Sequence, residues 1–322
     1  MRDEQVRRLI AKLRNELGPL IVQALDDDNI TEIMLNPDGL IWTEGHRTGL
    51  KTIGRMNAAQ AEALIGTVAS SVSTTVTRSS PIVSGELPLN GERFEGMIAP
   101  VVASPTFTIR KRAIALYSLD DYIRSGVISA SVASALRVAL QDRQNILLCG
   151  GTATGKTTLA NALIAELATI AREQRVVIIE DTTEIQCAQE NAVVMRTSDD
   201  VDMTRLLRST LRMRPDRIIV GEVRGGEALT LLKAWNTGHP GGIATIHANN
   251  ALAALPRLEQ LIAEATTAPM GTLIAGSIDL VVSISKTENG RRVNELVAVD
   301  DFQGGQYRTR IIEQKEKPIY AA

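Results

Sequence analysis

The sequence predicts an α/β protein of two domains, in which a smaller α+β domain precedes a larger domain built on a parallel sheet. Three observations support this. At 322 residues the chain is longer than a single core usually grows. Residues 30–112 contain strand-like stretches and turns around one helical stretch. After about residue 140, stretches that are apolar throughout alternate with helical ones, as in parallel sheets with crossover helices.

Composition narrows the class of protein. The chain is 44% hydrophobic and 22% charged, as is usual for globular proteins. A net charge of −2 leaves no excess of Lys and Arg to neutralise phosphates, so direct binding of nucleic acid is not expected. Neither Cys149 nor Cys187 has the spacing of a metal site, so both are expected to be buried thiols in a reducing compartment. The N-terminus is too charged for a signal peptide, and no apolar stretch reaches the roughly 20 residues that span a bilayer. The sequence therefore predicts a cytoplasmic protein that attaches at most to a membrane surface.

Apolar residues near the N-terminus have the spacing of one helical face. They are Val6, Leu9, Ile10, Leu13, Leu17, Leu20 and Ile21. Such a face usually packs on its own domain, and a membrane surface or a partner is the alternative. We predict three segments: an N-terminal α+β domain with this leading helix at 1–115, a linker or helix at 116–140, and the parallel-sheet domain at 141–322. In the middle segment, Ser118 and Asp121 have capping-box spacing.

A glycine-rich loop, GGTATGKTT at residues 150–158, lies between the apolar NILLC and the helical TLANALIAEL. It fits the phosphate-loop pattern G-x-x-x-x-G-K-[ST] in the required strand–loop–helix context. Inward-turned N–H groups and the helix N-terminus would hold the β-phosphate of ATP. Lys156 would pair with the β and γ oxygens, and Thr157 would ligate Mg²⁺. The predicted ATP-binding residues are Gly150, Gly151, Thr152, Ala153, Thr154, Gly155, Lys156, Thr157 and Thr158.

Acidic side chains follow two further apolar stretches. Glu180, Asp181 and Glu184 come at the end of VVIIEDTTE, and Glu222 ends RIIVGE. Because ligands of open α/β sheets bind at the carboxyl ends of the strands, we expect these acids to converge on the phosphate loop. Hydrolysis needs a group that orients water and a contact to the metal. The sequence leaves open which acid does which, since Gly221 and Glu222 occupy the position where an Asp is usual.

The stretch GHPGGIATIHANN contains His239 and His247, two of the three histidines of the chain. They lack a third ligand at a recognisable spacing, so a zinc site is not expected. His247 ends the apolar GIATI, at the edge of the sheet where a nucleotide would lie. We interpret His247 as a residue whose hydrogen bonds change with the γ-phosphate, and His239 as a residue that holds the turn.

Four motifs together resemble one family. GGTATGKTT, IIEDTTEI, LRMRPDRIIVGEVRG and TGHPGGIATIHANN match the order of the phosphate loop, Asp box, second acidic strand and His box of the type II/IV secretion ATPases. The resemblance covers roughly residues 75–300. The stretch GELPLNGERFEGMIAPVVASPTFTIRKR and the short chain resemble the conjugative-transfer branch, the TrbB-type ATPases of type IV secretion.

The resemblance implies a RecA-like P-loop nucleotide-binding domain behind a smaller PAS-like domain, assembled as a homo-hexamer. It implies inner-membrane and coupling components of a secretion or conjugation channel as partners. It also implies that Glu184 or Glu180 activates water and that Glu222 contacts Mg²⁺ directly or through water. Arg93 and Arg110, with Arg112 as a further candidate, match the arginines that reach the γ-phosphate.

Other interpretations remain beside the hexameric motor. A P-loop kinase would need an acceptor region or lid, which the sequence does not suggest. A nucleotide-gated assembly factor with little turnover would not need the intact acids, and a DNA pump is disfavoured by the acidic charge balance. Near the second acidic strand, five arginines suit either a subunit interface or a solvated face: Arg208, Arg212, Arg214, Arg217 and Arg224.

Overall fold

The computed structural model describes residues 2–45, 48–111, 117–198, 200–287 and 290–314. The chain divides into two compact units, Met1–Ile114 and Ala115–Ala322. Among the described residues, no helix combines the length and the apolar character needed to cross a membrane.

The first unit packs two helices on one face of an antiparallel sheet. Its elements are α1 (Arg2–Asp26), β1 (Ile30–Leu35), β2 (Leu40–Gly45), β3 (Gly49–Arg55), α2 (Ala58–Ser71), β4 (Ile82–Glu86), β5 (Arg93–Met97) and β6 (Thr106–Arg110). The strand order is β3-β2-β1-β6-β5-β4. Side chains alternate between core and solvent along the inner strands, so that Ile33, Phe94 and Ile109 are fully buried.

Helix α1 buries the C-terminal part of its apolar face in this core. Leu13, Leu17 and Ile21 are at most 1% exposed, whereas Val6 is 46% exposed. Gly18 interrupts the helix with a φ of 76°, directly before Pro19. A left-handed residue is adopted readily by glycine, and proline cannot donate the helical hydrogen bond, so the break is encoded locally. Packing on its own unit thus accounts for Leu13, Leu17 and Ile21, while Val6 and Leu20 of the predicted face stay exposed.

The second unit is a mostly parallel sheet covered by helices. Its elements are α3 (Leu119–Arg124), α4 (Ala130–Gln141), β7 (Ile146–Gly150), α5 (Lys156–Ile170), β8 (Val176–Glu180), β9 (Ala192–Arg196), α6 (Met203–Thr210), β10 (Arg217–Val223), α7 (Glu227–Asn236), β11 (Ile243–His247), α8 (Ala251–Ile262), α9 (Gly271–Ala275), β12 (Leu280–Thr287), β13 (Gly290–Gln303) and β14 (Gln306–Gln314). The predicted α/β class is confirmed.

The strand order of this sheet positions the site. The order is β14-β13-β12-β7-β11-β10-β8-β9. Strands β12, β7, β11, β10, β8 and β9 pair in parallel, and β13 and β14 are antiparallel additions. Every residue of β7 and β8 is buried, which explains why their sequences are apolar up to Glu180, the last residue of β8. Because β8, β10 and β11 lie on one side of β7 and β12 lies on the other, the carboxyl end of β7 is a topological switch point.

Residues 117–140, in the segment predicted to be a linker or helix, contain helix α3 and most of helix α4, and they belong to the second unit. Leu119 of α3 and Leu136 of α4 are fully buried in one core cluster with Ile146 of β7. Helix α3 begins with a reciprocal capping box: Asp121 N–H donates to Ser118 Oγ at 3.1 Å, and Ser118 N–H donates to Asp121 Oδ2 at 2.8 Å. The hydrogen bonds from Ser118 lower the pKa of Asp121 to about 2.

Arg217, at the start of β10, is a buried structural residue. It is 1% exposed, and its guanidinium donates to the carbonyl oxygens of Gly241 at 3.1 Å and Leu140 at 2.8 Å. Its Nε donates to Gln174 Oε1 at 2.5 Å. Burial, with a smaller contribution from nearby Arg143, lowers the pKa of Arg217 to about 10. A side chain enclosed in this way lies neither at an interface nor on a solvated face, so both interpretations are wrong for Arg217.

Cys149 and Cys187 carry free thiols. Cys149 is fully buried at the end of β7, and burial raises its pKa to about 12. Cys187 is half-buried, and burial raises its pKa as well. Because the thiolate is the reactive form, neither position suits nucleophilic chemistry.

Candidate nucleotide-binding site

The loop between β7 and α5 packs closely against strand β12, which limits the residues that fit in the loop. A Cβ on Gly150 would lie 2.3 Å from the carbonyl oxygen of Ile284, so only glycine fits there. Gly155 has a φ of 99°, in the left-handed region that favours glycine. Thr154 Oγ1 donates to the Gly151 carbonyl at 2.9 Å and closes the loop on itself. The two glycines of the motif are therefore required by the geometry of the loop.

Lys156 is held inside the curve of this loop. Its side chain is buried, and Nζ donates to the carbonyl oxygens of Gly150 at 3.1 Å and Gly151 at 3.0 Å. Helix α5 begins without a side-chain cap, since its N-cap is Gly155. The first N–H groups of a helix need acceptors, and the helix dipole favours an anion at that end. An ammonium beside an uncapped helix N-terminus suits a phosphate chain.

A chain of polar contacts runs from Lys156 across the ends of three strands. Lys156 Nζ lies 3.5 Å from His247 Nδ1, and His247 Nε2 lies 2.7 Å from Glu222 Oε1. Arg224 Nη2 donates to Glu222 Oε2 at 2.6 Å, and Arg224 Nη1 lies 3.5 Å from Asp181 Oδ2. The phosphate loop and the ends of β11, β10 and β8 thus meet in one network, as the order of these strands requires.

Glu222 reaches His247 through an irregularity of β10. The register of β10 on β11 shifts between Val220 and Val223, and Thr245 Oγ1 donates to the Gly221 carbonyl at 2.7 Å. A Cβ on Gly221 would lie 3.0 Å from the Cβ of Glu180. A larger residue at 221 would press on β8, which gives a physical reason for glycine at a position where an Asp is usual.

Glu180 and Glu184 have different environments. Glu180 is 2% exposed, and its Oε2 accepts from the N–H groups of Glu184 and Ile185, both at 2.9 Å. Glu184 is half-buried, and α5 holds its backbone, because Asn161 Nδ2 donates to the Glu184 carbonyl at 3.1 Å. Asn161 Oδ1 also accepts from Gln186 N–H at 3.0 Å. Glu180 therefore shapes the loop that carries Glu184 beside the phosphate-loop helix.

The two candidate metal contacts differ in availability. Thr157 lies half-buried on the first turn of α5. Glu222 Oε2 accepts from Arg224, whereas Oε1 is buried and has no aligned hydrogen bond, although His247 Nε2 lies 2.7 Å from it. The acceptor capacity that remains on Oε1 would suit a Mg²⁺ contact, direct or through water.

Arg93 and Arg110 lie in the first unit, opposite each other on β5 and β6. Both are half-buried, and Arg110 Nε lies 3.8 Å from Glu32 Oε1 on β1. Arg112 lies outside the described residues. The two arginines thus share one face of the sheet, opposite the face that packs on α1 and α2.

The remaining candidates of the acidic and histidine motifs differ in whether they belong to this network of polar contacts. His239 Nδ1 lies 3.0 Å from the Pro215 carbonyl, away from the network. Arg224 belongs to the network, while three other arginines are exposed: Arg208, Arg212 and Arg214. The sequence reasoning did not single out Asn161, whose spacing of five residues after Lys156 is the only available signal.

A family model described as "Type II/IV secretion system protein" matches residues 47–296, most of the chain. The chain belongs to this family. The predicted resemblance to type II/IV secretion ATPases is confirmed. This secretion-family chain is 55% identical to the probable conjugal transfer protein TrbB of Sinorhizobium fredii, over 98% of each chain. It is 33% identical to the type IV secretion system protein VirB11 of Bartonella henselae, over 91% of this chain and 94% of that one. The branch assignment to the TrbB type is thereby supported as well.

A solved structure shares the fold of this secretion-family chain. The Legionella pneumophila ATPase DotB matches with a TM-score of 0.63 at 19% identity, over 85% of this chain and 78% of that one. At this identity the likeness concerns the fold alone.

Proposed function

We propose that the chain is an ATPase that hydrolyses ATP to ADP and phosphate as a homo-hexameric motor of a type IV secretion or conjugative-transfer machine. The motor would act at the cytoplasmic face of the inner membrane, as a peripheral protein in contact with inner-membrane and coupling components of the channel. The single observation that carries the proposal is the network from Lys156 through His247 to Glu222. Family membership and the relatives' names support the conjugative role. We assign the second unit to the RecA-like class and the first to a PAS-like class.

In this proposal the phosphate loop binds the nucleotide and the acids act on its γ-phosphate. The N-terminus of α5 and Lys156 would hold the β- and γ-phosphates, and Thr157 would hold Mg²⁺, whose chemistry there would be to neutralise developing charge. Glu184 orients the attacking water and accepts its proton. The choice of Glu184 over Glu180 rests on the two backbone N–H groups that already occupy Glu180 Oε2.

His247 would report the state of the γ-phosphate. It contacts Lys156 on one side and Glu222 on the other, and it is 45% exposed. A γ-phosphate that drew Lys156 Nζ forward would remove one of these contacts and leave the other. The change could then pass through Glu222 and Arg224 to Asp181.

Sedimentation of the purified chain, with and without ATP and Mg²⁺, tests the motor. We expect a species of about six copies in at least one of the two conditions. We also expect the ATP turnover per subunit to rise with protein concentration, because the active form is an assembly. A strict monomer in both conditions would overturn the motor and leave the nucleotide site to be judged separately by binding.

Arg110→Ala is expected to lower ATP turnover by about 100-fold, as removal of one preorganised donor to developing charge does. ADP affinity should change by less than about twofold, because the arginine acts on the γ-phosphate, which ADP lacks. Steady-state hydrolysis and fluorescent ADP binding measure the two effects. Arg55→Ala, an exposed arginine on the edge strand β3, is the matched control and should change neither. Equal losses of turnover and ADP affinity would make Arg110 a structural residue.

A further inference from the structure

The two flanks of the phosphate loop are chemically different. Strand β7 pairs with β11 on one side and with β12 on the other. His247, Glu222 and the acids after β8 all come from the β11 side. The β12 side is extended by β13, where Lys286 and Arg291 are cross-strand partners. A nucleotide in the loop would therefore have its reacting γ-phosphate toward the acids and its nucleoside end toward a basic hairpin.

Arg291 lies directly against this loop. A Cβ on Gly155 would be 3.0 Å from Arg291 Cδ and 3.3 Å from Arg291 Nε. The space that a side chain at position 155 would fill is thus occupied by the methylene stem of Arg291, which comes from a distant part of the chain. The guanidinium stands next to the residue that precedes Lys156, at the N-terminus of α5.

The Arg291 guanidinium is incompletely satisfied within the described part of the chain. Its Nε is buried and finds no acceptor among those residues. An unpaired buried donor is costly, and more so when it carries charge. Burial raises the pKa of the Tyr122 phenol in α3, and the positive charge of Arg291 partly opposes this rise. The charge therefore lies in a partly desolvated setting, where an anionic ligand would be strongly favoured.

We propose that Arg291 is a nucleotide-binding residue that holds the α-phosphate end of the nucleotide, on the flank away from the acids. The inference rests on the proposed nucleotide site and adds a contact to it. A guanidinium presents paired donors that match phosphate oxygens, which suits it to this position better than a second lysine. Because ADP and ATP share the α-phosphate, Arg291 contributes to the binding of both. It does not take part in the chemical step.

Equilibrium binding of Mg·ADP and of a non-hydrolysable Mg·ATP analogue to the full chain tests this role. Arg291→Met keeps an unbranched stem over Gly155 and removes the guanidinium. We expect both affinities to fall about equally, by about tenfold or more, as for loss of a charged hydrogen bond. Arg292→Met is the matched control, because Arg292 is the next residue, exposed and on the other face of β13, and it should leave both affinities unchanged. A loss for the ATP analogue alone would overturn the α-phosphate assignment.

Folding is checked by thermal unfolding without nucleotide. If Arg291→Met unfolds at a lower temperature than the wild type, Arg291→Gln, which keeps a polar group at this position, carries the test, with the same tenfold loss expected. Wild-type protein that bound neither nucleotide would contradict the nucleotide site itself. Wild-type binding that persists undiminished in both Arg291 variants would contradict this inference alone.

Discussion

Lys156→Ala is expected to abolish ATP turnover and to weaken ATP and ADP binding by about 100-fold or more. The ammonium is the one side-chain cation inside the described part of the loop, where it lies 3.0–3.1 Å from two loop carbonyls. Its charge is there desolvated, so its interaction with a phosphate chain is stronger than at the surface. Removing it also leaves those carbonyls without their donor, so the loop itself should loosen.

The measurement pairs steady-state hydrolysis with calorimetric binding of ADP. Lys233→Ala, an exposed lysine in the last turn of α7, removes the same charge outside the loop and should change neither quantity. Retained turnover in Lys156→Ala would mean that the measured activity comes from another site or a contaminant, and the proposed function would then lose its catalytic basis.

Glu184→Gln is expected to lower turnover by about 1000-fold while ATP affinity stays within a few-fold. An amide of the same shape accepts a hydrogen bond but cannot take a proton from water, and general-base catalysis contributes about 10²–10⁴-fold. The thermal unfolding temperature should not change, because the structure holds Glu184 through its backbone. Single-turnover hydrolysis with protein in excess separates this chemical step from product release.

Glu180→Gln makes the same chemical change at the neighbouring carboxylate and serves as the comparison. Glu180 accepts two backbone N–H groups while 2% exposed, so a neutral acceptor should lower the free energy of unfolding by about 1–3 kcal/mol. The two variants should therefore differ in kind: one keeps stability and loses chemistry, and the other loses stability. The reverse pattern would make Glu180 the base.

The local parts of the site were accessible from the sequence. The phosphate loop is a continuous segment whose glycines, lysine and threonine are dictated by loop geometry, and the strand and helix around it have clear apolar patterns. The sequence also predicts that Glu222 and His247 each lie near the phosphate loop, because the carboxyl ends of parallel strands share one edge of the sheet, but it leaves the partner of His247 open. Their direct contact follows from the irregular register at Gly221, which no periodicity reveals.

Non-local partners were not accessible. The sequence does not distinguish Arg217 from the four other arginines near the second acidic strand, because a charge in a sequence carries no sign of the carbonyls that will enclose it, here from residues 77 and 24 positions away. Arg224 and Arg291 are similar cases, since their contacts depend on strand order and on a hairpin near the C-terminus. The sequence predicts a linker or helix at 116–140 but not that helices α3 and α4 pack in the core of the second unit, because an amphipathic pattern does not show which sheet buries it.

The bridging position of His247 also determines the tautomer of its ring. The Lys156 ammonium can only donate, so Nδ1 must be the bare nitrogen that faces it at 3.5 Å. The ring proton then lies on Nε2, which is 2.7 Å from a carboxylate oxygen of Glu222 without an aligned hydrogen bond to it. In this tautomer the ring turns its acceptor toward a cation and its donor edge toward an anion, so a small rotation of the ring is enough to form the hydrogen bond to Glu222.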